Sequence, residues 1–139
     1  MKEVANHTVA MNASPEVIWH KLVDFSTWPS WDTGMKSVHF DAPLKNGSRG
    51  KITPKGGSEV DLIVTEFSEG QSYTDEFPLW GGRFIFEHYI INENKQNMLN
   101  VVVKLDGGVP EFLAFLIGPQ FKSNLPIWMN NFKRQIESQ

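Results

Sequence analysis

Between residues 45 and 94 the chain is cut five times by turn signals: Lys45-Asn46-Gly47, Lys55-Gly56-Gly57, Ser68-Glu69-Gly70, Trp80-Gly81-Gly82 and Asn92-Glu93-Asn94. Gly and Asn at such points supply the left-handed backbone that tight turns need. The intervals are short, and a parallel return needs a crossover of a dozen or more residues, so neighbouring strands must pair antiparallel. The pattern predicts strands near 35–42, 48–54, 58–68, 71–78, 82–93 and 97–106, preceded by one over 3–12. Phe84, Phe86, His88 and Ile90 share one face of their strand, and Leu99, Val101, Val103 and Leu105 one face of the next. The opposite faces carry Arg83, Glu87 and Tyr89, or Asn100 and Lys104, as in a sheet wet on one side.

Helix signals bracket this sheet. Ser14-Pro15-Glu16 places a hydroxyl at an N-cap, proline in the first turn and an acid beside the positive end of the dipole. Val17, Ile18, Leu22 and Phe25 follow at helical spacing. Pro29 interrupts that helix or opens a second short one, which puts Trp28 and Trp31 in a helical bend. After Gly107-Gly108, Val109-Pro110-Glu111 opens a long helix to about Ser138. Its second half is amphipathic, with Leu125, Trp128, Met129, Phe132 and Ile136 in one stripe. Gly118-Pro119 is expected to kink or briefly break it. A strongly twisted seven-stranded sheet with this helix across its concave face is the economical α+β arrangement. One helix, about 10–12 Å across, need not fill the trough of such a sheet.

Composition removes several function classes. With no cysteine in 139 residues there is no disulfide, thiolate metal site or cysteine nucleophile. A formal charge of −3, without a Lys/Arg run, argues against nucleic acid or an acidic membrane surface as partner. The longest apolar run, FLAFLIGP, is too short to span a bilayer, so no stable membrane insertion is expected. The N-terminus lacks a signal-peptide core, and the default is one cytoplasmic domain over 1–139. His7, His20, His39 and His88 show no metal-ligand spacing, and neither a metal nor a cofactor is expected.

Ala13-Ser14-Pro15-Glu16-Val17-Ile18-Trp19 resembles the "A-s/p-x-E-x-V-W" opening of the START/Bet v 1-like (SRPBCC) superfamily. Leu22-Val23-Asp24 and Trp28-Pro29-Ser30-Trp31-Asp32 resemble its "l-x-D…w-P-x-W" bend. Gly118-Pro119 with Leu125-Pro126 is similar to the last helix of the polyketide cyclase/dehydrase-like branch. The resemblance spans the chain. It implies a helix-grip fold with a hydrophobic tunnel between sheet and helix, and a repertoire of carriers, cyclases and quinone or lipid binders.

The candidate polar residues lie on the sheet. His88 shares its face with Phe84, Phe86 and Ile90, where an imidazole could bond a ligand hydroxyl or carbonyl. The competing reading is a histidine satisfied by a backbone carbonyl or by Tyr73. Asp75 alternates with Tyr73 and Phe77, and is either an acid/base with a raised pKa or a solvated edge carboxylate. Asp24 and Asp32 read as ties of the helical bend and of the strand after it. Trp28, Phe40, Tyr73, Phe77, Trp80, Phe84, Phe86, His88, Phe112, Phe115 and Leu116 are the expected ligand contacts, with Phe121 in the same apolar constellation. The leading expectation is binding or transport of a small hydrophobic or amphipathic molecule, lipid-, polyketide- or quinone-like. The alternatives are a cyclase/dehydrase-type enzyme using His88 with Asp75 or Tyr73, and an interaction protein with a vestigial cavity. Oligomeric state is left open.

Overall fold

The computed structural model describes residues 2–79, 81–108 and 111–138, with backbone alone at 79, 111–114, 116 and 117. The chain runs β1 (Lys2–Met11), α1 (Pro15–Val23), a 3-10 turn (Phe25–Thr27) and α2 (Trp28–Trp31). Six strands follow, β2 (Met35–Phe40), β3 (Arg49–Pro54), β4 (Val60–Ser68), β5 (Ser72–Leu79), β6 (Gly82–Glu93) and β7 (Gln96–Gly107), and then α3 (Glu111–Glu137). The sheet is antiparallel in the order β1-β7-β6-β5-β4-β3-β2. Its seven strands, curled around the C-terminal helix, form the helix-grip architecture.

Local chemistry fixes the ends of α1. Ser14 Oγ accepts from Val17 N at 3.2 Å, and Pro15 occupies the first turn, where its missing N–H costs nothing. Ile18, Trp19 and Leu22 are buried. Val17, expected on the same stripe, is 42% exposed, because the buried arc is centred one residue further on. At the other end, Trp28 Nε1 donates to Leu22 O at 2.7 Å, satisfying a carbonyl that the helix leaves orphaned. The Trp-Pro-Ser-Trp turn is therefore a cap for α1 as well as a helix of its own. Trp31 packs edge-on against Phe132 of α3 at 5.1 Å, which seats the bend on the long helix.

Pro119 and Pro126 both lie inside α3, so of the kink or brief break expected at Gly118-Pro119 the break does not occur. Each proline removes one backbone donor, and at Gly118 the helix is pressed onto β1, where an added Cβ would meet Val4 Cβ at 3.7 Å. The helix packs chiefly along β1, with further contacts to α1 and α2. It thus lies toward the β1 edge of the sheet, while α2 and the 3-10 turn pack on β2 at the other edge. The convex face is polar. Arg83 bridges Glu76 at 3.0 Å and Asp106 at 2.9 Å, and Lys104 pairs with Glu87 at 2.8 Å.

Candidate functional site

Between α3 and the concave face of the sheet lies a cavity of about 250 Å³. Val38, Ile52, Leu62, Phe77, Phe86, Leu99, Val101 and Val103 wall it from the sheet, and Phe121, Leu125, Trp128 and Met129 from α3. Leu22, Trp28, Trp31 and Met35 close one end. The walls thin toward solvent at Gly34, Pro54, Val60 and Trp128, which are exposed or half-buried. Gly34 holds the rim close: a Cβ there would stand 3.2 Å from Trp128 Cζ2. Among the described residues, three wall residues carry an ionisable side chain: Asp32, Asp75 and His88.

Strand register brings the last two together. Asp75 opposes Phe86 across β5–β6, and Tyr73 opposes His88, so all four side chains face the concave side. Asp75 is 4% exposed, lines the cavity, and has no hydrogen-bond partner among the described residues. Burial pushes its carboxyl up to about 8, with the neighbouring charge of Glu76 adding to the effect. At neutral pH it is a protonated acid and a donor. The alternative of a solvated edge carboxylate is thereby overturned, since β4 and β6 flank β5 and bury its inward face.

His88 is held from two sides. Its Nδ1 donates to Tyr73 O at 3.2 Å, which fixes the proton on Nδ1 and leaves Nε2 as a lone pair. Its ring stacks on Tyr73 at 4.3 Å with an interplanar angle of 13°. Burial lowers its pKa to about 4, so it stays neutral. The backbone-carbonyl and Tyr73 partners foreseen for a structural histidine are both present, and the imidazole still lines the cavity. Asp32, at the rim, accepts from Gly34 N at 3.1 Å, and burial raises it to about 6 against the pull of Lys55.

The expected contacts divide. Trp28, Phe77, Phe86 and His88 line the cavity. Tyr73 lies beneath His88, fully buried with its hydroxyl unpartnered and its pKa pushed up by burial, and is not a wall residue. Phe40 packs against Phe25 at 4.7 Å, and Phe84 is enclosed by Phe77, Phe86 and Phe121; both are core. Phe115 is 79% exposed and is not a wall residue. Trp80, Phe112 and Leu116 lie outside the residues and side chains described. Sequence reasoning missed Asp32 and Trp31 as wall residues, having read them as structural ties. The stripe of Leu125, Trp128 and Met129, read as amphipathic packing, is the helical wall. No group of metal-ligating side chains occurs among the described residues, and no helix there is long and apolar enough to cross a membrane.

The sequence matches the family described as polyketide cyclase/dehydrase and lipid transport over residues 3–137. No curated protein sequence matches the chain. Among solved structures, it resembles a START superfamily protein from Mycobacterium smegmatis, with TM-score 0.68, 19% identity and coverage of 96% of this chain and 97% of that one. Ara h 8.0201 superposes with TM-score 0.68 at 12% identity over 96% and 97%. The di-domain ARO/CYC protein StfQ of the steffimycin biosynthetic pathway gives TM-score 0.74 at 9% identity, over 99% of this chain and 51% of that one. At these identities the likeness is one of fold. With the family match across nearly its whole length, the chain belongs to the polyketide cyclase/dehydrase and lipid transport family, and it shares the fold of the START and Ara h 8 structures.

Proposed function

We propose that the protein binds a compact hydrophobic or amphipathic molecule in this cavity. One observation carries the reading: a space of about 250 Å³ walled almost wholly by carbon, in which Asp75 presents a polar group that no described residue satisfies. Small-molecule sites are built this way, apolar throughout with a few placed polar groups, and run to roughly 300–1,000 Å³. The volume lies just below that range and favours a ring-sized ligand over a long acyl chain.

An enzymatic reading has its own support, because Asp75 and His88 share the cavity in complementary proton states. His88 Nε2 would remove a proton α to a carbonyl while Asp75 protonates a departing β-hydroxyl, giving an alkene and water. The depressed basicity of His88, near 4, decides against this as the principal role, since a general base works best with a pKa near the operating pH.

Native mass spectrometry of protein purified from its own host, together with a melting-temperature panel of hydrophobic ligands, tests the proposal. A ligand at one hundred times its Kd adds about 2.7 kcal/mol, a rise of roughly 10 °C for a chain of this size. A protein that carries no retained mass and responds to none of the panel would contradict it.

A further inference from the structure

The acids of the cavity have no cation to meet. Asp75 and Asp32 both line it, while no Lys or Arg does among the described residues, and the side chains left undescribed include none. Lys55 acts on Asp32 from the exposed rim and is not a wall residue. Asp75 is the unpartnered one. On the concave face it is framed by Val64 of β4 and Phe86 of β6, its cross-strand partners, and by Tyr73 and Phe77 two residues away on its own strand. Phe77 and Phe86 stack at 5.7 Å, and Phe121 meets Phe86 at 5.8 Å from α3. Trp28 lies 6.0 Å from His88 on the adjoining wall. A carboxyl without a partner among the described residues, set beside aromatic rings in an apolar space, is the combination that recognises an organic cation: the acid supplies the counter-charge and the rings their negative faces.

We propose that the ligand is a compact aromatic or alicyclic amine, held as its ammonium by Asp75 and flanked by the rings of Phe77 and Phe86. This rests on the cavity being a ligand site. A neutral alcohol would gain one ordinary hydrogen bond from Asp75, about half the worth of a charge-assisted one. A carboxylate would enter beside two acids with no basic side chain to receive it, and is disfavoured. The titratable groups around Asp75 are Tyr73 and His88, both neutral on the same face, Asp32 at the rim, and Glu76 next along the chain. In the empty protein Asp75 holds a proton at neutral pH. An arriving ammonium displaces that proton to solvent, so the carboxyl O–H bond ionises, the ligand keeps its own protons, and about one proton is released per amine bound.

Isothermal titration calorimetry at pH 7 with naphthylmethylamine, naphthylmethanol and naphthoic acid compares three charges on one apolar body. The amine is expected to bind roughly tenfold tighter than the alcohol, with the acid weakest, and its enthalpy is expected to vary with buffer as for release of one proton. In Asp75→Asn the advantage of the amine and its proton release are lost while the alcohol still binds. If that variant does not fold, Phe86→Leu is expected to weaken the amine several-fold more than the alcohol. Equal or tighter binding of the alcohol or the acid overturns the proposal, as does an amine preference that survives in Asp75→Asn or, where that variant does not fold, one that is undiminished in Phe86→Leu. Binding of none of the three overturns the binding-cavity reading itself.

Discussion

Burial holds the Asp75 carboxyl protonated up to about pH 8, against an ordinary value of 3.8. Across that window the native state binds more protons than the unfolded chain, so this group's contribution to stability falls as pH rises from about 4 to 8. His88, lowered from 6.5 to about 4, acts the other way: its contribution is lost as pH falls from 6.5 toward 4. Asp32, raised to about 6, adds to the acid side only below that pH. Between pH 6.5 and 8 Asp75 therefore acts alone among the three. Urea unfolding of the wild type should show stability declining by roughly 2 kcal/mol over that interval. Asp75→Asn should flatten the decline, and an unchanged slope in the variant would place the titration elsewhere. Residue roles were only partly legible in sequence. Alternation put Asp75 on a face with Tyr73 and Phe77, and His88 on a face with Phe84 and Phe86, because that period is local; that the two faces coincide follows from the β5–β6 register. Whether Phe84 or Phe86 meets open space depends on how deep each sits, which Phe77 and Phe121 decide from other elements.

Among the elements, the strands and α1 were readable because their signals lie within a few residues of where they act. Turn glycines set the meander, and Ser14 set the start of α1. Ser14→Ala should lower stability by about 1 kcal/mol, measured by chemical denaturation; no loss would show that Pro15 suffices to start the helix. In the β2–β3 pair, Gly50 opposes Phe40, and a Cβ at Gly50 would collide with the Phe40 ring and the His39 carbonyl. Gly50→Ala should cost roughly 1–3 kcal/mol, and a neutral result would show that Phe40 has another rotamer available. The continuity of α3 was not readable. Local propensity argues for a break at Gly118-Pro119, and packing of the helix along β1 overrides it.

For the whole molecule, the determining feature is where α3 lies. A helix centred over the sheet would fill the trough with Phe121, Leu125 and Met129. Shifted to β1, it turns the same side chains into one wall and leaves the concave face of β2 to β7 as the other. Nothing in the sequence pattern encodes that offset, because it results from the fit of the helix to β1, α1 and α2 together. The Trp28-Pro29-Ser30-Trp31 turn follows the same logic: it caps α1, seats against Phe132, and closes the end of the cavity with both indoles. A direct test fills the space without disturbing the frame. Leu62 is buried at the cavity wall on β4, and Leu62→Trp projects a larger ring into it. Titration of wild type and Leu62→Trp with the apolar fluorophore N-phenylnaphthylamine, alongside their melting temperatures, measures occupancy of the cavity. The wild type is expected to bind one-to-one, and a Leu62→Trp protein that still melts cooperatively is expected to lose that binding at least tenfold. Equal binding by both proteins, or none by the wild type, would contradict binding in this cavity.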